Sequence, residues 1–139
     1  MRIKMYLQVN CRKIVGGYGR GKALVTKQPI NFLAMLDTEV GTVIDRDHEL
    51  FGQSIKNVVL VFPNAIGSSV GAYAIYSLKV NGVAPTAIVC INKADITTAS
   101  GCAISNIPVV DMLEKTSSCM LSSEMNISVD ADNGIVAVI

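Results

Sequence analysis

Between residues 58 and 80 an apolar run gives way, at a single proline, to a glycine–serine turn and then to a helical pattern. The run Val58–Phe62 (VVLVF) has no polar residue, which is how a strand covered on both faces reads. Pro63 ends it, and Gly67-Ser68-Ser69 follows. From there Val70, Tyr73, Ala74 and Leu78 recur at helical spacing, which predicts a helix over 69–80 closed by Asn81-Gly82 as a C-cap. A strand, a tight turn and a helix in this order require further strands alongside, hence an α/β domain. The turn also has chemical content. Two hydroxyls stand where the unpaired N–H groups and the positive end of a helix dipole gather, a position suited to an anion. Gly67 permits backbone angles beside them that other residues avoid. Taken alone, Ser68 reads first as a plain helix N-cap.

The flanking segments fill in the sheet. Residues 5–15 alternate loosely and predict a first strand. Gly16, Gly17, Gly19 and Gly21 then predict a strand-to-strand loop before Ala23–Thr26 resumes an extended pattern. The GGYGRG run has neither dinucleotide nor P-loop spacing, although Arg20 and Lys22 keep a phosphate contact open there. Thr42–Ile44, Ile55–Phe62, Ala84–Cys90 and Ile107–Val110 read as strands, and Asp37–Gly41 as a turn. Asp95 is placed to cap a short helix of small residues over 95–103. Ser128–Ile139 reads as a strand or hairpin turning at Asp132-Asn133-Gly134. Strands come first and strand–helix alternation follows, which implies a compact β/β/α arrangement over residues 1–139 as a single domain.

Composition narrows the partners. With 12 Lys+Arg against 11 Asp+Glu the net charge is +1, and no charge run argues for nucleic acid or an anionic membrane surface. Half the residues are hydrophobic and only 17% are charged, which predicts that a partner covers part of the surface. The four cysteines, at 11, 90, 102 and 119, lack metal-ligand spacing, and His48 is the sole histidine, so a metal site built from this chain is not expected. Cys90 and Cys102 read as buried free thiols, and His48 as a packing or surface residue. Arg2 and Lys4 precede no apolar core of about seven residues, and no apolar stretch approaches about 18. A cytoplasmic, reduced setting is the expectation, with no membrane segment.

One family gathers these features. Gly21–Val25 (GKALV), Pro29, Phe32, Asp37 and Gly41 lead into Asp45, His48 and Gly52-Gln53-Ser54. The Gly67-Ser68-Ser69-x-Gly-x-Tyr block follows, then Asn81-Gly82-x-Ala84-Pro85 and Ile107-Pro108-x-Val110-Asp111. In this order and spacing the chain resembles the swivel domain of the aconitase X family, over nearly its whole length. The resemblance implies a three-layer swivelling β/β/α domain, like the mobile fourth domain of aconitase. It further implies the small subunit of a two-chain hydro-lyase, active only with a large subunit whose cysteines hold a 4Fe-4S cluster. The implied reaction is dehydration of (R)-5-phosphomevalonate to trans-anhydromevalonate 5-phosphate, a step of the archaeal mevalonate pathway to isoprenoids.

By the same resemblance Ser68 is the base that takes the proton. Gly67, Ser69 and Gly71 are expected beside the small phosphorylated hydroxy acid, and Arg20 or Lys22 at its phosphate. Ala65-Ile66 stand where many relatives have glycine and arginine, and Ala72 where serine is common. A cis-3-hydroxy-L-proline dehydratase subunit is the alternative within the class. A non-catalytic module that binds an anion or regulates a partner is the alternative outside it. Tyr73 and Tyr76 are expected to pack the helix against the sheet.

Overall fold

The computed structural model describes residues 7–113 and 121–139. Its organising element is β3 (Tyr18–Val25), a strand long enough to belong to two sheets. The first half of β3 pairs antiparallel with β9 (Asn126–Asp130), from Tyr18↔Asp130 to Lys22↔Asn126. Its second half pairs parallel with β6 (Val59–Phe62), from Ala23↔Val59 to Val25↔Val61. On the β9 side the sheet continues through β10 (Ile135–Val138) to β1 (Gln8–Asn10), all antiparallel. On the β6 side it continues through β7 (Ala87–Cys90) and β8 (Val109–Asp111), parallel, to β2 (Arg12–Val15), antiparallel. A two-residue pair, β4 (Leu36–Asp37) with β5 (Thr42–Val43), stands apart.

Two cores separate three layers. Alternation along β6 sends Val59 and Val61 to one face and Leu60 and Phe62 to the other. The first pair joins Val9, Ala23, Val89, Ile127, Val129 and Val136 between the two sheet halves. The second joins Ile75, Leu78, Ile88, Cys90 and Cys102 under the helices α2 (Gly71–Val80) and α3 (Ile96–Ser105). Short α1 (Phe32–Met35) closes that core, with Phe32 packed edge-on against Phe62 at 5.7 Å between ring centres. The order is β/β/α, as expected of an α/β swivel fold.

Several local expectations hold for stated physical reasons. Gly82 takes φ +71 after α2, and the Val83 N–H reaches back to the Leu78 carbonyl at 2.9 Å, a Schellman-type stop. Gly134, at φ +66, turns β9 into β10. His48 is buried. Its Nδ1 accepts the Leu50 N–H at 3.1 Å, so Nε2 carries the proton and donates to the Pro29 carbonyl at 3.2 Å.

Other expectations are corrected. The predicted strand over 5–15 is two strands, β1 and β2, which separate at Cys11 into different sheet halves; its first two residues lie outside the described range. Gly19 and Gly21 are not loop residues but sit inside β3. A Cβ at Gly21 would stand 2.6 Å from the Asn57 carbonyl, and one at Gly19 would overlap the Thr86 carbonyl. These glycines let the strand lie flush on the backbone of its neighbours. On α2 the buried face is Gly71, Ala74, Ile75 and Leu78, so Val70 and Tyr73 point outward and Tyr73 is 68% exposed. Tyr76 is exposed as well. Small residues on the inner face let α2 approach the sheet and α3, and the tyrosines have no room beneath it. Cys119 lies outside the described residues. No helix among those described is long and apolar enough to cross a membrane.

Candidate functional site

The parallel strands β6, β7 and β8 end at one edge of the sheet, and the helices α2 and α3 begin there side by side. In open α/β sheets this carboxyl edge is where ligands bind. The loop from Pro63 to Gly67 is held to that edge from three sides. The Ile30 N–H donates to Asn64 O at 3.3 Å, and the Ile66 N–H to Ile30 O at 3.0 Å. Asn92 donates through its backbone to Pro63 O at 3.2 Å and through Nδ2 to Asn64 Oδ1 at 3.0 Å. The carboxylate of Asp95 accepts the Ala65 N–H at 2.9 Å while capping α3 through the Thr98 N–H, also at 2.9 Å. Ser68 thus stands at the end of a loop fixed by backbone and short polar side chains.

At Gly67 the chain takes φ +97. A Cβ there would meet the Asn31 amide nitrogen at 2.5 Å, so glycine is required twice, by conformation and by space. The next residues form a single tight turn ahead of α2. Gly71 N–H bonds to Ser68 O, and Ala72 N–H to Ser69 O, each at 3.0 Å. The Ser68 hydroxyl oxygen accepts the Val70 N–H at 3.1 Å. Ser68 is therefore a cap, but to the turn before the helix rather than to α2 itself, whose first position has no side-chain partner. The N–H groups of Ser68 and Ser69 find no acceptor among the described residues. Residues 66–70 all lie on the surface, so this turn is presented to the outside rather than enclosed.

Not every expected residue lies here. Gly67, Ser68 and Ser69 are together, but Gly71 is buried, where a Cβ would meet the Thr97 methyl at 2.9 Å; its role is close packing of α2 on α3. Arg20 and Lys22 pair with Ser128 and Asn126 near the start of β3. At about 3.3 Å per residue they sit about 17 and 10 Å back along the strand from Val25, which is level with Val61. Lys22 Nζ instead meets Glu124 at 3.4 Å on the surface. Neither cation belongs to the serine turn itself.

Two groups at this edge were not singled out by the sequence reading as site residues. One is Asn31, whose Oδ1 accepts the Ala34 N–H at 3.0 Å as the cap of α1. An Asn directly before Phe32 is an N-cap signal, but a four-residue helix is too short to show a period. The other is the pair of Arg12 with Asp111. The guanidinium donates to both carboxylate oxygens, at 2.9 and 2.7 Å, and Ala94 N–H adds a third bond at 2.6 Å. Burial pushes the Asp111 carboxyl up, yet these donors and the nearby Lys93 together hold it below the ordinary value.

The thiols of Cys11, Cys90 and Cys102 are free. Burial raises Cys11 to about 11 and Cys90 to about 12, with nearby Asp111 adding to both, and burial raises Cys102 as well. No three His, Cys, Asp or Glu side chains among the described residues stand close enough to hold a metal ion. A cavity of about 490 Å³ opens at the other flank of β3, lined by Val25, Lys27, Glu49, Gln53 and Ser123, and does not include the serine turn.

Residues 8–138 match the family described as the aconitase X swivel domain. A phosphomevalonate dehydratase small subunit from Methanocella arvoryzae is 43% identical over 130 residues, covering 94% of this chain and 98% of that protein. One from Thermococcus sibiricus is 42% identical over 132 residues, covering 95% and 98%. The crystal structure of Thermococcus kodakaraensis aconitase X (holo-form) superposes with a TM-score of 0.88 at 41% identity, covering 96% of this chain and 98% of that one. Match and superposition extend over nearly the whole length, and the chain belongs to the aconitase X swivel-domain family.

Proposed function

We propose that this chain is the small subunit of a hydro-lyase that dehydrates (R)-5-phosphomevalonate to trans-anhydromevalonate 5-phosphate, with Ser68 as the proton acceptor. The observation that carries the reading is the Val70 N–H directed at the Ser68 hydroxyl oxygen, in a turn that leaves two further N–H groups open. A hydrogen bond to the charged form of a group favours that form, so this turn favours the ionised form of Ser68 that acts as base, and any anion beside it. With Ser68 already ionised, the proton at C2 of the substrate moves to its Oγ and restores the hydroxyl, while the electron pair left on C2 closes the C2–C3 double bond and expels the C3 oxygen as hydroxide.

Magnitudes decide whether the turn suffices. A hydroxyl resembling water starts from a pKa of about 15.7. Bringing it to neutrality takes roughly nine units, or about 12 kcal/mol at 1.36 kcal/mol per unit. A helix N-terminus contributes at most about 2 kcal/mol, and a charge-assisted hydrogen bond about 1.5–3 kcal/mol. Together these leave more than half the requirement outside this chain. The large subunit supplies further cationic groups, or the proton leaves in concert with the hydroxyl. A Lewis acid for the departing hydroxyl is the chemistry that a 4Fe-4S cluster provides. Among the described residues no three Cys, His, Asp or Glu side chains stand close enough to hold a cluster; in this reading the large subunit carries it.

The chain then works in the cytoplasm as one swivelling domain over 1–139, in a heterodimer whose larger partner closes over the exposed turn. On its own it is inactive. Anaerobic reconstitution with the cognate large subunit, wild type beside Ser68→Ala, tests the reading. Turnover of (R)-5-phosphomevalonate that drops by more than about a hundredfold in an intact variant complex is the expected result. Equal turnover in both would reduce Ser68 to a cap, and turnover of cis-3-hydroxy-L-proline alone would reassign the substrate.

A further inference from the structure

We propose that Asn31 is a second substrate-contacting residue of the Ser68 site, its side-chain N–H donating to the substrate carboxylate as negative charge builds there. The inference rests on the reading of Ser68 as base and adds to it a residue from a different part of the chain. Which end of an amide points where is set by its hydrogen bonds. Here Oδ1 is committed to the Ala34 N–H at 3.0 Å. That commitment turns Nδ2 toward the serine turn, 2.5 Å from where a Gly67 Cβ would stand. Among the described residues Nδ2 has no acceptor, while the backbone N–H of Asn31 is separately occupied by the Met35 sulfur at 3.3 Å. The amide is thus a free donor of fixed direction lying against the residue that precedes Ser68.

The reaction supplies the acceptor. C2, which gives up its proton to Ser68 Oγ, is bonded directly to the carboxylate carbon. As the C–H bond breaks, its electron pair spreads onto the carboxylate oxygens before returning to form the C2–C3 double bond as the C3–O bond breaks. A base within proton-transfer reach of C2 has the carboxylate one bond away on one side and C3 on the other, and the proposal sets the carboxylate on the side of Asn31. The phosphate, at the far end of the molecule, lies beyond them. Preorganised neutral donors aimed at an oxygen that gains charge are worth about 10²–10³ in kcat each. Gly67 is then the residue that makes room for the donor, since any Cβ would displace it.

The test uses the complex reconstituted with the large subunit. Asn31→Asp keeps the size of the side chain and remains a good helix cap through one carboxylate oxygen, but replaces the donor with an acceptor that repels a carboxylate. Asn31→Ser keeps a cap and withdraws the amide. Both variants are expected to keep the complex and a Tm within a few degrees of wild type, while kcat on (R)-5-phosphomevalonate falls about a hundredfold. A substrate deuterated at C2 should show a larger isotope effect with Asn31→Asp than with wild type, because proton removal becomes slower; a role in packing alone would leave that ratio unchanged. Turnover within about twofold of wild type in both variants, beside an inactive Ser68→Ala, would overturn the role of Asn31 and leave Ser68 standing. So would a loss of turnover that merely tracks a fallen Tm or a dissociated complex. An active Ser68→Ala complex would remove the reading on which the inference rests, and the inference with it.

Discussion

Replacing Gly67 by alanine asks two separable questions of the serine turn. The first is conformational. A residue with a Cβ held at positive φ costs about 1–2 kcal/mol, and φ here is +97, on the unfavourable side of the left-handed well. The second is spatial. The new methyl would stand 2.5 Å from Asn31 Nδ2, and the amide is the movable partner. Swinging it aside breaks its bond to Ala34 N–H, and loss of a cap of this kind costs about 1 kcal/mol. Gly67→Ala should therefore destabilise by about 2–3 kcal/mol, lowering Tm by about 8–12 °C for a chain of this size. Gly82→Ala is the control, with φ +71 and nothing within 4 Å of its Cβ position, and should show only the backbone part. Urea unfolding of the four corners wild type, Gly67→Ala, Asn31→Ala and the double variant isolates the spatial part. With the amide already absent, the cost of Gly67→Ala should shrink by about 1 kcal/mol. A Gly67→Ala no costlier than Gly82→Ala, or a cost unchanged in the Asn31→Ala background, would refute the contact and with it the double requirement for glycine.

The remaining expectations concern charge. Removing the guanidinium with Arg12→Ala strands the Asp111 carboxylate, which is 0% exposed. In the wild type Asp111 titrates below the ordinary value, so its contribution to stability is present above the unfolded pKa of about 3.9 and is lost as pH falls through the lower folded value. In the variant only the Ala94 N–H and Lys93 still oppose burial, so the folded value rises, and the deficit is greatest at neutral pH and narrows on acidification. Thermal unfolding should show a Tm deficit of at least about 5 °C at pH 7 that shrinks by pH 4; a deficit independent of pH would sink the assignment. For Arg20→Ala with Lys22→Ala, KM and kcat of the reconstituted complex should stay within about twofold of wild type. A tenfold rise in KM would mean that the substrate phosphate reaches the start of β3 after all.

What the sequence made legible follows the strength of local signals. Residues 58–82 could be read nearly whole, because a run apolar on both faces, a proline, a glycine turn and a Gly82 stop each act over a few residues. Asp95 was likewise readable as a cap, and the structure adds only its second bond, to Ala65. Misreadings arose where tertiary approach overrode local preference. Gly19 and Gly21 look like a loop in sequence, yet they are strand residues because carbonyls from residues 57 and 86 press on β3. The outward tyrosines of α2 were invisible for a similar reason. A helix with apolar residues on both faces has no single period, and the small side chains of Gly71 and Ala74 settled which face was buried. Arg20 and Lys22 drew attention by charge alone. Only the register of β3 against β6 separates them from Ser68, and register is not written in either strand by itself.

The contrast between the two helix starts explains why the chemistry gathers at one of them. α2 and α3 leave the same sheet edge, and their N-termini carry dipoles of the same sense. At α3 the Asp95 carboxylate occupies this position, accepting Thr98 N–H, Thr98 Oγ1 and Ala65 N–H. Its negative charge compensates the dipole and repels any anion that approaches. At α2 there is no carboxylate, and the one hydroxyl that caps the turn is itself the group proposed to react. The capped start also holds the uncapped one in position, because the third bond of Asp95 fixes the loop that delivers Ser68. A single carboxylate thus closes one anion site and shapes the loop that opens the other. On the proposed reading, the serine turn is the helix start left open to an anion because its neighbour is capped.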